Sequence, residues 1–314
     1  MSCRTLVACA SLAMVASCDS CPPDYHVIKS MRVLGTTYDP PIAPPDGTVT
    51  VRAVTADVEA RALTVAWYRC PTNLRLTAIA TVDGSFDASA IAAPCLATGE
   101  FARGTSVRVP VNADGGTLDA VPYRTRRRWT DLVGFACADG DIEAPPKGGL
   151  WPRCTGARGV VFTASIPGPR ADGSDAAPTP TSIEGITFAG RAWGANAVPS
   201  VARCDGSRAT CPSVEITFQV ADAAVVIEPT SAGNGVLGAP DDSVVFVGYH
   251  VTGAATASTE YCQNPDSDAV IQASDGVARL AWVPPSDAGD VTFWFTARRY
   301  SGALTVVRRS ARVE

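Results

Sequence analysis

Strict alternation of apolar and polar residues recurs along this chain and restricts its fold more than any other feature. In "SVEITFQV", Val214, Ile216, Phe218 and Val220 oppose Ser213, Glu215, Thr217 and Gln219. In "TVTVRAVTAD", Val49, Val51 and Ala53 oppose Thr48, Thr50 and Arg52; "RALTVAWYRC" sets Leu63, Val65 and Trp67 against Thr64, Ala66 and Tyr68. Successive strand side chains point to opposite faces, so a period of two with β-branched residues marks half-buried antiparallel strands. "ADVEARA" reads as the turn between the latter two. Further strands are expected at "TSVRVPVN", "TDLVGFAC", "RGVVFTASI", "DSVVFVGYHVT" and "DGVARLAWVPP". "GDVTFWFTARRYSGALTVV" reads as a hairpin with Ser301 and Gly302 in its turn. No stretch combines helix caps with a 3.6-residue period. Short strands between Gly-, Asp- and Pro-rich turns predict an all-β chain of antiparallel β-sandwiches.

A chain of 314 residues, 46% of them hydrophobic, is long enough to bury more than one core. The best boundary is "IPGPRADGSDAAPTPTS", residues 166 to 182, where Pro, Gly, Ala, Asp and Ser crowd together and core residues are missing. The expected division is a first sandwich over 30–166, a linker over 167–182 and a second sandwich over 183–314.

The N-terminus predicts an address. A single cationic residue, Arg4, precedes the uncharged "LVACASLAMVAS", which has the length of a secretory h-region and is too short to span a bilayer. Val15, Ala16, Ser17 and Cys18 then resemble the lipobox of bacterial lipoproteins. The resemblance implies a signal peptide over 1–17, a diacylglyceryl group and an acyl chain on Cys18, and a lipid-anchored tether over 18–29. "LVAC", ending at Cys9, leaves too little apolar run ahead of it. By spacing alone Cys18 and Cys21 would also suit a redox pair or half a zinc site, and ordinary secretion is a further alternative. A redox Cys-x-x-Cys, however, normally sits between a strand and a helix of a folded domain. Asp19, directly after the lipidated cysteine, is an inner-membrane retention signal in enterobacteria; outer membrane or cell surface is kept ahead here.

Cysteine arithmetic fits export. Of eleven cysteines, Cys3 and Cys9 leave with the signal peptide and Cys18 takes the lipid. Cys21, Cys70, Cys95, Cys137, Cys154, Cys204, Cys211 and Cys262 remain, an even set for an oxidising compartment. Sequence proximity favours Cys70 with Cys95, Cys137 with Cys154 and Cys204 with Cys211, leaving Cys21 with Cys262, among many connectivities.

"MRVLGTTYDPPIAPPDGTVTVRAVTADVEARALTVAWYRCP" resembles the N-terminal Ig-like module of surface lipoproteins from myxobacteria and related Gram-negative bacteria, a mostly uncharacterised family. The features that match are Gly47 to Ala53 and the strand from Leu63 to Cys70. "DVTFWFTARRYSGALTVV" is similar to the closing hairpin of Ig-like or PKD-like repeats. The resemblance implies two disulfide-stapled, Ig-like sandwiches and an envelope location, and little about activity. Trp67 resembles the core tryptophan of such sandwiches, which often packs on a disulfide. Trp294, out of phase with Phe293 and Phe295, is the expected surface aromatic.

Candidate sites are few. "YRTRRRWT" gathers Arg124, Arg126, Arg127 and Arg128, whose guanidinium forks suit an anionic glycan or phosphate surface; a solvated edge carrying charge is the plainer alternative. Asp139, Asp141 and Glu143, like Asp266 and Asp268, read as acidic turns in preference to calcium ligands. No metal site is expected, and no cofactor beyond the covalent lipid at Cys18. A net charge of −5 argues against nucleic acid. No nucleophile elbow, zinc-protease or phosphate-loop motif occurs, and His26 and His250 are the only histidines. The expectation is a non-catalytic binding or adhesion-type module held at the membrane, its partner an envelope protein or an anionic glycan. The alternatives are a spacer or accessory subunit of an envelope complex and, remotely, a hydrolase using His250.

Overall fold

Residues 27–28, 30–71, 93–111, 127–147, 149, 151–156, 159–170, 181–206, 210–220, 224–227, 244–252, 271–274, 276–299 and 304–314 are described by a computed structural model. After a short β1 (Val27–Ile28), the first sandwich uses β2 (Arg32–Asp39), β3 (Thr48–Ala56), β4 (Leu63–Arg69), β5 (Glu100–Arg103), β6 (Ser106–Pro110) and β7 (Arg127–Ala138). A small hairpin of β8 (Ile142–Glu143) and β9 (Arg153–Cys154) precedes the last long strand, β10 (Val160–Arg170). One sheet has the order β2-β3-β6 and the other β10-β7-β4-β5. Sequence-adjacent strands thus divide between two sheets in the Greek-key manner of an Ig-like sandwich.

The alternation places the core where the sequence predicts. Val49, Val51, Val65, Trp67, Val107, Val109, Leu132 and Ile166 close one cluster between the sheets. Trp67 is fully buried and its indole N–H donates to the Gly104 carbonyl at 2.8 Å. Gly134 lies opposite Trp67 on one side and Phe162 on the other. Without a side chain between them, the two rings meet edge-on, centroids 5.2 Å apart.

Trp67 does not pack on a disulfide, as the Ig-like pattern led one to expect. The Cys70–Cys95 and Cys137–Cys154 bonds lie on the other face of the same sheet, in a cluster with Ala66, Tyr68, Val133, Phe135 and Ile142. The central strands β4 and β7 are buried on both faces for this reason. Residues 93–96 form one helical turn beside Cys95, a departure from the helix-free reading.

The turn after β3 is closed by an ion pair. Arg61 donates from Nε to Asp57 Oδ2 at 2.9 Å and from Nη2 to Oδ1 at 2.8 Å. These bonds hold the Asp57 carboxyl below its ordinary range, while partial burial opposes them. A folded-state pKa depressed this way adds stability that is present above the unfolded value of about 3.9 and lost as pH falls through the folded one. Asp57→Asn is therefore expected to flatten the acid limb of thermal stability below about pH 4 relative to the wild type.

The second sandwich contains β11 (Ile183–Phe188), β12 (Arg191–Ala192), β13 (Ser200–Val201), β14 (Val214–Val220), β15 (Ala224–Ile227), β16 (Val244–Thr252), β17 (Ile271–Ser274), β18 (Val277–Trp282), β19 (Gly289–Arg299) and β20 (Leu304–Val313). One sheet runs β12-β11-β14-β18-β17; the other contains β16-β19-β20-β13, with β15 against β16. Its core holds Trp193, Phe218, Tyr249, Trp282, Phe293 and Phe295. A third disulfide joins Cys204 to Cys211. The β19–β20 register pairs Arg298 with Leu304, as the hairpin reading requires, and its turn lies outside the described residues.

Two segments depart from the expected boundaries. Val27 and Ile28, placed in the tether, pair in parallel with Val251 and Thr252 of the second sandwich. β10 continues to Arg170, past the boundary at residue 166. The rest of the linker from residue 171 to 180 lies outside the described residues.

Trp294 is the main correction. It is 7% exposed, in a cluster with Ile28 and Ala56 and flanked by Leu34 and Val306. The first sandwich and β1 cover the outer face of the β16-β19-β20 sheet, so both faces of β19 are buried. Gly35 belongs to the same contact, where an added Cβ would stand 2.9 Å from Leu304 Cδ2. Ala56→Glu would place a charge in this apolar contact at a cost of a few kcal/mol or more. It is expected to separate the two sandwiches, raising the radius of gyration in solution scattering while the β-sheet circular dichroism is kept.

Candidate interaction site

Among the described residues the outer edge of β20 is paired only by β13, over two residues. The Arg312 N–H donates to Pro199 O at 2.9 Å and the Glu314 N–H to Val201 O at 3.0 Å, so both point away from β19. Backbone groups alternate in direction along an antiparallel strand, and the β19–β20 register has no bulge. Val306, Arg308 and Ser310 therefore also turn N–H and C=O outward. β13 reaches only Arg312 and Val313, and no strand among the described residues pairs with the other three.

A cleft of about 450 Å³ lies at the same side of the sandwich, lined by Phe188, Arg191, Trp193, Val198, Pro199 and Ser200. Local sequence builds it. Phe188 pairs with Arg191 across a two-residue turn in which Ala189 (φ 49°) and Gly190 (φ 74°) are both left-handed, the geometry that suits tight hairpins. The chain then folds inward at Trp193, whose ring meets Phe188 at 4.8 Å and Phe293 at 5.4 Å. Its indole N–H donates to Ala197 O at 3.1 Å. Val198 stays 51% exposed at the rim.

The edge and the cleft share a basic character. Arg309 joins them, donating from Nε to Trp193 O at 3.0 Å and from Nη1 to Arg308 O at 2.8 Å. The Arg308 guanidinium lies over the Trp294 ring, 5.9 Å from its centroid. Among the described residues no carboxylate pairs with Arg191, Arg308 or Arg309; Asp290 pairs instead with Arg312, at 2.8 Å. A chain of net charge −5 thus carries a local cationic surplus beside unpaired backbone.

Arg308, Arg309 and Arg312, which from sequence suit either an anion site or a solvated charged edge, lie on this edge, and the other candidate residues lie elsewhere. Cys18, Asp19, Cys21, His26, Arg124, Arg126, Cys262, Asp266 and Asp268 are outside the described residues. Arg127 and Arg128 open β7, where Arg127 stands opposite Arg170. Asp139 and Asp141 lie in the connection from β7 to β8, and the Asp141 N–H donates to Thr155 Oγ1 at 2.9 Å. No group of three or more metal-ligating side chains forms among the described residues. His250 is 6% exposed, opposite Trp294 on the covered face of the sheet. No helix among the described residues is long and apolar enough to cross a membrane.

No family model matches the chain, and no curated protein does. Similar solved structures include the Ig1-2 module of the Drosophila receptor tyrosine phosphatase DLAR, at 10% identity and TM-score 0.24, over 90% of this chain and 97% of that one. Extracellular domains 3–5 of Drosophila OTK match at 10% identity and TM-score 0.20 over 91% of this chain, which spans 62% of theirs. Dimeric latent PorU from Porphyromonas gingivalis matches at 11% identity and TM-score 0.27, over 91% of this chain and 24% of that one. The Ig-like assignment stands on the strand order and the two cores described above.

Proposed function

We propose that this protein is an exported lipoprotein of a Gram-negative envelope, anchored through lipid at Cys18, whose twin sandwiches form a non-catalytic binding or adhesion-type module. The observation that carries the binding role is the open β20 edge, where outward backbone groups and unmatched arginines share one surface. The three disulfides among the described residues fit an oxidising compartment. The lipobox-like Val15 to Cys18 supports the anchor, and the burial of His250 supports a role without hydrolysis. The partner is an envelope protein or an anionic glycan. A second reading, a spacer or accessory subunit, draws on the Trp294 contact that joins the sandwiches.

Crosslinking of intact cells with a membrane-impermeant reagent tests the proposal. The reagent should be directed at carboxylates, because Lys29 and Lys147 are the only lysines in the chain. A discrete adduct on unopened cells is expected. Labelling only after the envelope is opened would place the body in the periplasm and favour the accessory reading. Cys18→Ala is expected to move the protein from the membrane to the soluble fraction; an unchanged fraction would remove the lipid anchor from the account.

A further inference from the structure

We infer that the β20 edge binds an extended acidic segment of a partner protein by strand addition. The inference rests on the binding reading above and names the chemistry of its ligand. Val306, Arg308 and Ser310 offer three outward N–H groups at alternate residues, the spacing that a peptide strand matches with its carbonyls. Arg309 Nη1 already holds the Arg308 carbonyl, so the donors on this edge outnumber the free acceptors. The N–H groups of Arg312 and Glu314 are engaged by the carbonyls of Pro199 and Val201, and among the described residues no strand pairs with Val306 to Ser310 on the same line.

Charge selects the occupant. Arg308 is exposed on one face of β20, with a ring beneath it in place of a carboxylate. Arg191 lines the adjoining cleft, also without a carboxylate partner among the described residues. An added strand that alternates acidic and apolar residues would set its carboxylates beside Arg308 and its apolar side chains toward the cleft rim at Val198. Two edge strands of the first sandwich are blunted. The edge strand β6 carries Arg108 and ends on Pro110, while on β5 the Glu100 and Arg103 side chains pair with each other at 2.8 Å. A glycan polyanion can use the arginines and single N–H groups, but only a peptide strand repeats its carbonyls at the spacing of alternate backbone donors, so the peptide is the better fit.

The test is fluorescence anisotropy on the mature protein with a labelled hexapeptide alternating Glu and Val, against its Lys–Val counterpart and a sulfated polysaccharide. The Glu–Val peptide is expected to bind at least tenfold tighter than the Lys–Val one. Ser310→Pro removes one outward N–H without touching the bonds to β19, and is expected to weaken that peptide about tenfold or more. Arg308→Glu is expected to do the same and to narrow the preference for the acidic peptide. Should Ser310→Pro fail to fold, amide exchange on the wild type decides: the Val306, Arg308 and Ser310 amides should slow on adding the peptide. Equal binding of both peptides, binding of the polysaccharide alone, or exchange unchanged at those amides would each overturn the inference. An adduct on intact cells that survives in both variants would keep the binding role and remove this edge from it.

Discussion

Trp67→Ala is expected to lower the stability of the first sandwich by about 3–5 kcal/mol, the range for truncating a fully buried tryptophan. Trp67 stands in one row with Gly134 and Phe162 across three adjacent strands. Removing the indole leaves Phe162 facing a hole over a glycine, and the Gly104 carbonyl loses its donor. Two of the three strands of the row, β4 and β7, are buried on their other face too, so relaxation into the gap is restricted. Trp67→Phe keeps most of the volume and is expected to cost less than half as much. Gly134→Val approaches the same contact from the opposite side. Even a Cβ there would stand 2.1 Å from Phe162 Cζ, so the ring must leave Trp67. Urea denaturation of the three variants reads these effects as shifts of the transition midpoint. A Trp67→Ala shift no larger than that of Trp67→Phe would mean that the indole is not central to this core.

The disulfides are expected to rank by the loop each closes. Sequence separations are 25 for Cys70–Cys95, 17 for Cys137–Cys154 and 7 for Cys204–Cys211. Chain-entropy arguments assign about 3.5, about 3 and about 2.4 kcal/mol to loops of those lengths. The first two bonds also build the outer cluster of the β10-β7-β4-β5 sheet, where Cys95 and Cys137 are fully buried. Replacing each pair by alanine should lower the melting temperature in that order, with Cys70–Cys95 the most damaging. A Cys204–Cys211 variant that melts lowest would contradict a ranking by loop closure.

Much of this architecture is legible in the chain because strand alternation is a local signal. Val49 and Val51, Val65 and Trp67, Ile216 and Phe218 all face cores, and the turn at "ADVEARA" is where β3 ends and β4 begins. The bonded cysteine pairs among the described residues are neighbours in sequence because each closes a short connection, where the entropy of closure is smallest. Alternation assigns residues to faces but cannot tell what covers a face. Trp294 therefore reads as a surface aromatic until the first sandwich is seen lying over it. The same limit hides the β20 edge, since pattern along a strand does not reveal which strand is outermost. "RRSAR" marks β20 as cationic, yet only the short reach of β13 leaves its backbone open.

The most direct measurement is site-specific photocrosslinking on intact cells, with the photoreactive residue placed at position 308 and, separately, at Glu143 on the first sandwich. Both positions are exposed, and they belong to different sheets of different sandwiches. A discrete adduct to an envelope protein from position 308, with none from position 143, is the predicted result. No adduct from either position, or adducts from 308 only after the envelope is opened, would contradict a binding module that presents this edge outside the cell.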